Sequence, residues 1–219
     1  MSHKKVVAEV DSPPRVAETA RRLGIDPAWS LDISGIDPED RKSWDLSQPG
    51  KQKKAREMLR RDALELLVAC PMCGPFSTWM AINYSRTSEE KVRKALNEAL
   101  DHLKFSLELC YDQHKAERLF VFEHPVGATS WGTRMMKVLL KLDGVHAVNF
   151  DFCVFGMKAP AITDGQTGPA KKRTRVMTNS GHISAALARA QCSTCSWMLA
   201  SPGHARCTQM SSVMPSSWA

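Results

Sequence analysis

The chain has no apolar run approaching the roughly 20 residues that a membrane helix needs, which argues against a membrane-spanning protein. Its first residues, MSHKKVVAEVDSPP, lead into no long apolar region, so no secretory signal is read there. An intracellular protein, nuclear or cytoplasmic, is therefore expected. There is no internal repeat, so a repeat architecture is not expected. A disulfide framework is not expected either, because the seven cysteines are odd in number and suit free thiols in such a compartment. What is present is a chain of 219 residues with 43% hydrophobic content, enough for one good-sized core or for a domain plus a tail. The formal net charge of +7 suits a polyanionic partner. The positive charge gathers at Lys51–Arg61, which reads as a solvated helix face, and at Lys171–Arg175.

Taken in order, strands and helices alternate at a spacing that predicts an α/β fold with a mostly parallel sheet. Val6–Val10 is β-branched and reads as the first strand, and Arg15–Leu23 as a helix stopped by Gly24. Trp29–Ile33 is expected to be the second strand, ending near Asp32. A polar stretch, Ser34–Gln48, precedes a charged helix over Gly50–Asp62. After residue 78 comes the longest helical signal, with Val92, Leu96, Ala99, Leu103, Leu107 and Cys110 at helical spacing. Thr87 and Glu90 are placed to form a capping box before it. His102 and His114 on this helix are expected to face solvent. Leu119–Phe122 reads as a strand, Ser130–Leu142 as a helix, His146–Phe152 as a strand, and Gly156–Ala170 as a Gly/Pro-rich loop. Arg175–Thr178 reads as a last strand and Ile183–Ala190 as helical. The α/β domain is expected over residues 6–190, and residues 191–219, rich in Ser, Cys, Met and Pro, as a weakly structured tail.

The stretch with most chemistry is Leu64–Thr78, LELLVACPMCGPFST. Its apolar run predicts a strand buried on both faces, broken at Pro71 into a turn through Gly74 and Pro75. Open α/β sheets place their chemistry at such strand ends, and this turn carries Cys73. A thiol is already a few per cent thiolate at neutral pH, so Cys73 is a candidate nucleophile. Cys70 inside the strand fits a small buried hydrophobe, and Cys73 has the same bland reading open to it. A Cys70/Cys73 redox pair is a further reading, with no helix N-terminus at Cys70 to favour a thiolate. Two more strand ends present polar groups on the same expected edge: Glu123 after Phe120–Phe122, and Arg173 with Arg175 entering the last strand. Together they would supply a nucleophile, a proton donor and an anion or base anchor.

Pro71-Met72-Cys73-Gly74-Pro75-Phe76-Ser77 resembles the P-P-C-x-x-F-S loop of DNA cytosine-5 methyltransferases. Glu123-His124-Pro125 is similar to their E-N-V strand end, and Lys171-Lys172-Arg173-Thr174-Arg175-Val176 to their Q-x-R-x-R strand. The family order is kept over about residues 6–179. The resemblance implies a Rossmann-like methyltransferase fold and methyl transfer from S-adenosylmethionine to cytosine in DNA, single-stranded or with the base flipped out. It implies catalytic roles for Cys73, Glu123, Arg173 and Arg175. It places the cofactor near Asp11 and Ser12, with Asp32 at the ribose, Asp45 near the adenine, and Pro71 beside it. The chain departs from the pattern at the cofactor loop, Asp11-Ser12-Pro13-Pro14-Arg15, which has no glycine, at Met72 for the second Pro, and at His124 for Asn. Related sequences also occur within mobile-element polyproteins. No metal ligands are assigned in the α/β domain. The alternative is a non-catalytic nucleic-acid-binding or mobile-element-derived protein whose tail, through Cys192, Cys195, His204 and Cys207, binds zinc.

Overall fold

In the computed structural model, residues 6–77, 84, 87–160 and 167–193 are described. The chain opens with β1 (Val7–Val10), α1 (Arg15–Arg22) and β2 (Pro27–Leu31). Helix α2 (Pro49–Asp62) leads into β3 (Leu66–Ala69), and the long α3 (Glu89–Lys115) into β4 (Leu119–Pro125). Then come α4 (Arg134–Leu139), β5 (His146–Asp151), a hairpin of β6 (Lys158–Pro160) and β7 (Thr167–Pro169), β8 (Arg173–Thr178) and α5 (Gly181–Ala188).

Six strands form one sheet in the order β2-β1-β3-β4-β8-β5. The pairs β1–β2, β1–β3 and β3–β4 are parallel, and β8 is antiparallel to both of its neighbours. The fold is thus α/β with a mostly parallel sheet in which β8 alone runs backwards. The cause lies in the connections. Each parallel neighbour is reached through a helix, whereas β8 is reached from β5 through the β6–β7 hairpin, and a parallel crossover needs a longer helical link.

Both faces of the sheet are covered, which is why its central strands are continuous apolar runs rather than alternating ones. Leu67, Ala69, Phe120, Phe122 and Met177 pack under α2, α3 and α4, while Val68, Cys70, Val121 and Val176 pack under α1 and α5. Phe105, Phe120, Phe122 and Phe150 are each fully buried, and each such ring contributes about 1.5–3 kcal/mol from its removal from water. The carboxyl ends of β1 to β4 and the amino end of β8 share one edge. There the chain runs from β1 to β2 on one side and to β3 on the other, the kind of switch point at which α/β sheets bind ligands. Among the described residues no helix is long and apolar enough to cross a membrane.

Several local expectations need correction. The second strand is Pro27–Leu31, two residues early, because Asp32 turns the chain by accepting the Ser34 amide. The long helix starts after Ser88, whose own side chain makes no capping bond. Ser130–Leu142 is not one helix: a 3-10 turn at Thr129–Gly132 ends at Thr133, whose hydroxyl caps α4 by accepting the Met136 amide. The loop Gly156–Ala170 contains the β6–β7 hairpin. The last helix begins at Gly181, capped by Ser180, whose hydroxyl accepts the Ile183 amide.

The face of α2 is also not simply solvated. Lys51 is buried, 2.6 Å from Asp37 and 2.8 Å from Asp40, and Lys54 lies 2.6 Å from Asp37. Both ammonium groups sit over the Trp44 ring, which fastens the loop of residues 34–48 to α2. Lys51 and Lys54, on what reads as a solvated helix face, are therefore spent on the protein's own carboxylates.

Candidate functional site

Cys73 follows β3 by four residues, half-buried, and its carbonyl accepts the Phe76 amide at 3.1 Å to start the 3-10 turn Gly74–Phe76. Three side chains donate to carbonyls of this turn. Tyr84 Oη reaches Pro75 at 2.8 Å, Thr129 Oγ1 reaches Phe76 at 3.3 Å, and His124 Nε2 reaches Pro71 at 3.1 Å. A carbonyl only accepts, so His124 carries its proton on Nε2, and its Nδ1 accepts from the Ser130 hydroxyl at 2.7 Å. The imidazole is fully buried between the rings of Phe76 and Phe122. Burial pushes it below its ordinary titration range, so it is the neutral ring that holds the turn. Cys70 is buried inside the sheet face, as its bland reading expects.

Glu123 is buried at the end of β4, on the α1/α5 side of the sheet, where it pairs across β8 with Val176. Lys172 stands by its carboxylate, with Nζ 3.8 Å from Oε1 and over the Phe152 ring. The two arginines are at the same edge but not at this carboxylate. Arg175 pairs with His124 in register, and so leaves the sheet on the opposite face from Glu123. Its Nε donates to Asn149 Oδ1 at 2.8 Å and its guanidinium stacks on Trp131. Arg173 is exposed, with Nε 4.0 Å from Asp151 Oδ1. Cys73, Glu123, Arg173 and Arg175 therefore share an edge, while Glu123 and Arg175 point to opposite faces of it.

Asp11, Ser12, Asp32 and Asp45 lie around the carboxyl ends of β1 and β2. Asp11 adopts φ +55, in the left-handed region. Its Oδ2 accepts from Ser106 Oγ at 2.8 Å and its Oδ1 lies 3.3 Å from His102 Nδ1. Ser12 is buried, its hydroxyl donating to Glu9, and its carbonyl accepts from Ser30 Oγ. Asp32 and Asp45 each accept bonds from the serine two residues on, and those bonds help hold Asp45 below the usual carboxylate range. His102, expected to face solvent, is drawn in by the Asp11 carboxylate, which raises its titration above the ordinary imidazole value. His114 is half-buried.

The N-terminus of α1 decides what these residues can hold. Glu9 is fully buried and accepts the Val16 and Ala17 amides at 3.0 and 2.9 Å. These free amides are the usual anion site of a Rossmann-type loop, and here the chain's own carboxylate fills it. Burial raises the Glu9 carboxyl, against those hydrogen bonds. A phosphate-bearing dinucleotide does not fit that place. Asp11, Asp32 and Asp45 leave the surrounding edge acidic, which favours a cationic group over an anion. Pro71 is buried, and its carbonyl accepts from His124 Nε2.

Among known proteins, no family model matches the chain and no curated protein matches it. Of the zinc string, Cys195, His204 and Cys207 lie outside the described residues; among those described, no group of three or more His, Cys, Asp or Glu is placed to hold a metal ion.

Five residues of this edge escape a reading of the sequence alone. Glu9 leaves a signal, a lone charge inside an otherwise apolar strand. His102 and Ser106 leave a weaker one, four residues apart on a helix and so on one face. Lys172 and the buried role of His124 leave none, because each depends on which strand lies alongside.

Proposed function

We propose that the chain is a DNA cytosine-5 methyltransferase-like protein, with a Rossmann-like methyltransferase domain that transfers a methyl group to carbon 5 of cytosine through Cys73. The observation that carries this reading is the Cys73 turn, held through its carbonyls by His124, Tyr84 and Thr129 and set beside the strand that ends in buried Glu123. That is the arrangement a nucleophile and an adjacent acid require: a fixed thiol at a strand end and a carboxyl on the neighbouring strand. The Cys73 thiolate adds to carbon 6 of cytosine. A carbon–sulfur bond forms, and the electron pair of the 5,6 double bond makes carbon 5 nucleophilic. The Glu123 carboxyl hydrogen-bonds the ring nitrogen at which charge develops. Asp11, Asp32 and Asp45 would hold S-adenosylmethionine, which would supply the electrophilic methyl group and depart as S-adenosylhomocysteine; loss of the carbon 5 proton to a base then expels the Cys73 thiolate from carbon 6 and restores the 5,6 double bond. The base must leave the duplex to reach Cys73, at about a few kcal/mol, and Arg173 is the exposed cation available to its flanking phosphate.

The test is covalent capture. Single-stranded DNA carrying cytosine fluorinated at carbon 5 cannot release the proton that ends the reaction, so with S-adenosylmethionine saturating it is expected to trap the protein at Cys73. Cys73→Ser should abolish the adduct and leave stability within about 0.5 kcal/mol, since the residue is half-buried on a turn. A wild-type protein that never forms the adduct refutes the catalytic reading. The second reading is a non-catalytic nucleic-acid-binding protein of the same fold. What favours it is Arg175, whose guanidinium is already engaged by Asn149 and Trp131.

A further inference from the structure

The cofactor loop has no glycine, yet it makes the left-handed turn for which such loops use one. Asp11 takes φ +55, a conformation unfavourable for an ordinary L-residue and one that Asp tolerates better than most. What holds it there comes from the other side of the sheet edge. Helix α3 presents His102 and Ser106 one turn apart. Ser106 donates to one oxygen of Asp11 and His102 stands at the other, with the His102 and Asp11 side chains only 14% and 12% exposed. The loop runs straight on from Asp11 through Ser12, whose carbonyl is tied to β2 by Ser30.

We infer that His102 and Ser106 are positioning residues for the cofactor loop, and that His102 in its protonated form latches Asp11 in the left-handed turn, so that ligand affinity at this loop falls as the imidazole loses its proton. This rests on the reading of the β1–β2 edge as an S-adenosylmethionine site. The charged groups facing His102 are Asp11 from the end of β1, Asp45 from the loop before α2, and Asp101 on its own helix. All three are acidic, so each favours the charged ring. Loss of the Nε2 proton leaves a neutral ring that can still present Nδ1–H to Asp11 but no longer adds its charge, so the latch weakens and Ser106 carries more of the backbone strain.

The experiment is calorimetry with S-adenosylmethionine on the full chain between pH 6 and 9, comparing wild type, His102→Gln, His102→Arg and Ser106→Ala. Comparing proteins at the same pH cancels the titration of the ligand itself. Wild type should bind about two- to fivefold more tightly than His102→Gln at pH 6, the size of one half-buried ion pair, and the two should converge by pH 9. His102→Arg, which keeps its charge throughout, should hold the tight affinity at both ends. Ser106→Ala should weaken binding at every pH while keeping the slope of the wild type. A wild-type to His102→Gln ratio that does not change with pH overturns the latch.

Thermal melting separates this from failure of the functional reading. A raised imidazole stabilises the folded chain fully below pH about 6.5 and loses that contribution as pH rises through its folded value. The melting gap between wild type and His102→Gln should therefore be widest at pH 6 and close by pH 9. If no protein binds S-adenosylmethionine, the cofactor assignment falls and the melting gap alone judges the latch. A gap independent of pH refutes the latch whether or not the ligand binds.

Discussion

Replacing His124 tests the link between the core and the Cys73 turn. In His124→Ala two buried partners, the Pro71 carbonyl and the Ser130 hydroxyl, lose their hydrogen bonds at 3.1 and 2.7 Å. Each buried group left unsatisfied costs about 1–3 kcal/mol. The ring also leaves a void between Phe76 and Phe122, whose centroids stand 5.8 and 5.3 Å from its own. Taken together the loss is about 3–5 kcal/mol. For a chain of 219 residues that corresponds to a fall of about 6–20 °C in Tm. His124→Asn keeps a donor and an acceptor but is shorter, so it should fall between wild type and alanine. Because burial depresses the imidazole, the unfolded chain takes up the proton first. Wild-type stability should hold above pH about 6.5 and drop as pH falls below it. Scanning calorimetry at pH 8 and pH 5.5 measures both effects, and alkylation of Cys73 should speed up in the alanine variant as the turn loosens. A His124→Ala protein melting within about 2 °C of wild type would mean that the turn holds itself and that the staple is incidental.

The remaining predictions concern charge. Lys172→Met should slow adduct formation with the fluorinated cytosine and Lys172→Arg should restore it, because Lys172 is the cation at Glu123; equal adduct rates in all three proteins would remove Lys172 from the site. Burial works to raise the Asp37 carboxyl, but the hydrogen bonds from Lys51 and Lys54 outweigh it and hold it down to about 2. Its contribution to stability should thus be present above pH about 4 and be lost as pH falls from there towards 2. Asp37→Asn should melt lower than wild type at pH 7 and approach it at pH 2, and parallel melting curves at both would refute the assignment.

Much of this protein was written in its order of residues. The apolar runs of β1, β3 and β4 are buried on both faces, so composition alone marks them as central strands. Pro71 marks the end of β3 because it removes a backbone donor, and that alone puts Cys73 just past the strand, at the sheet edge. Glu123 followed from the same logic, a carboxyl at the end of an apolar run. The tertiary structure decided what strand pairing decides. A residue's face depends on its register, so only the β4–β8 ladder could put Arg175 opposite Glu123 and leave Lys172 beside it. His102 reads as one more polar residue on an amphipathic helix until α3 crosses the end of β1. Likewise the loop without glycine looks unable to turn until Asp11 meets its partners, since the stabilisation of a strained backbone comes from residues about ninety positions away. Propensity and pattern act between near neighbours, and the contacts that fix this edge act between strands and helices far apart in the chain.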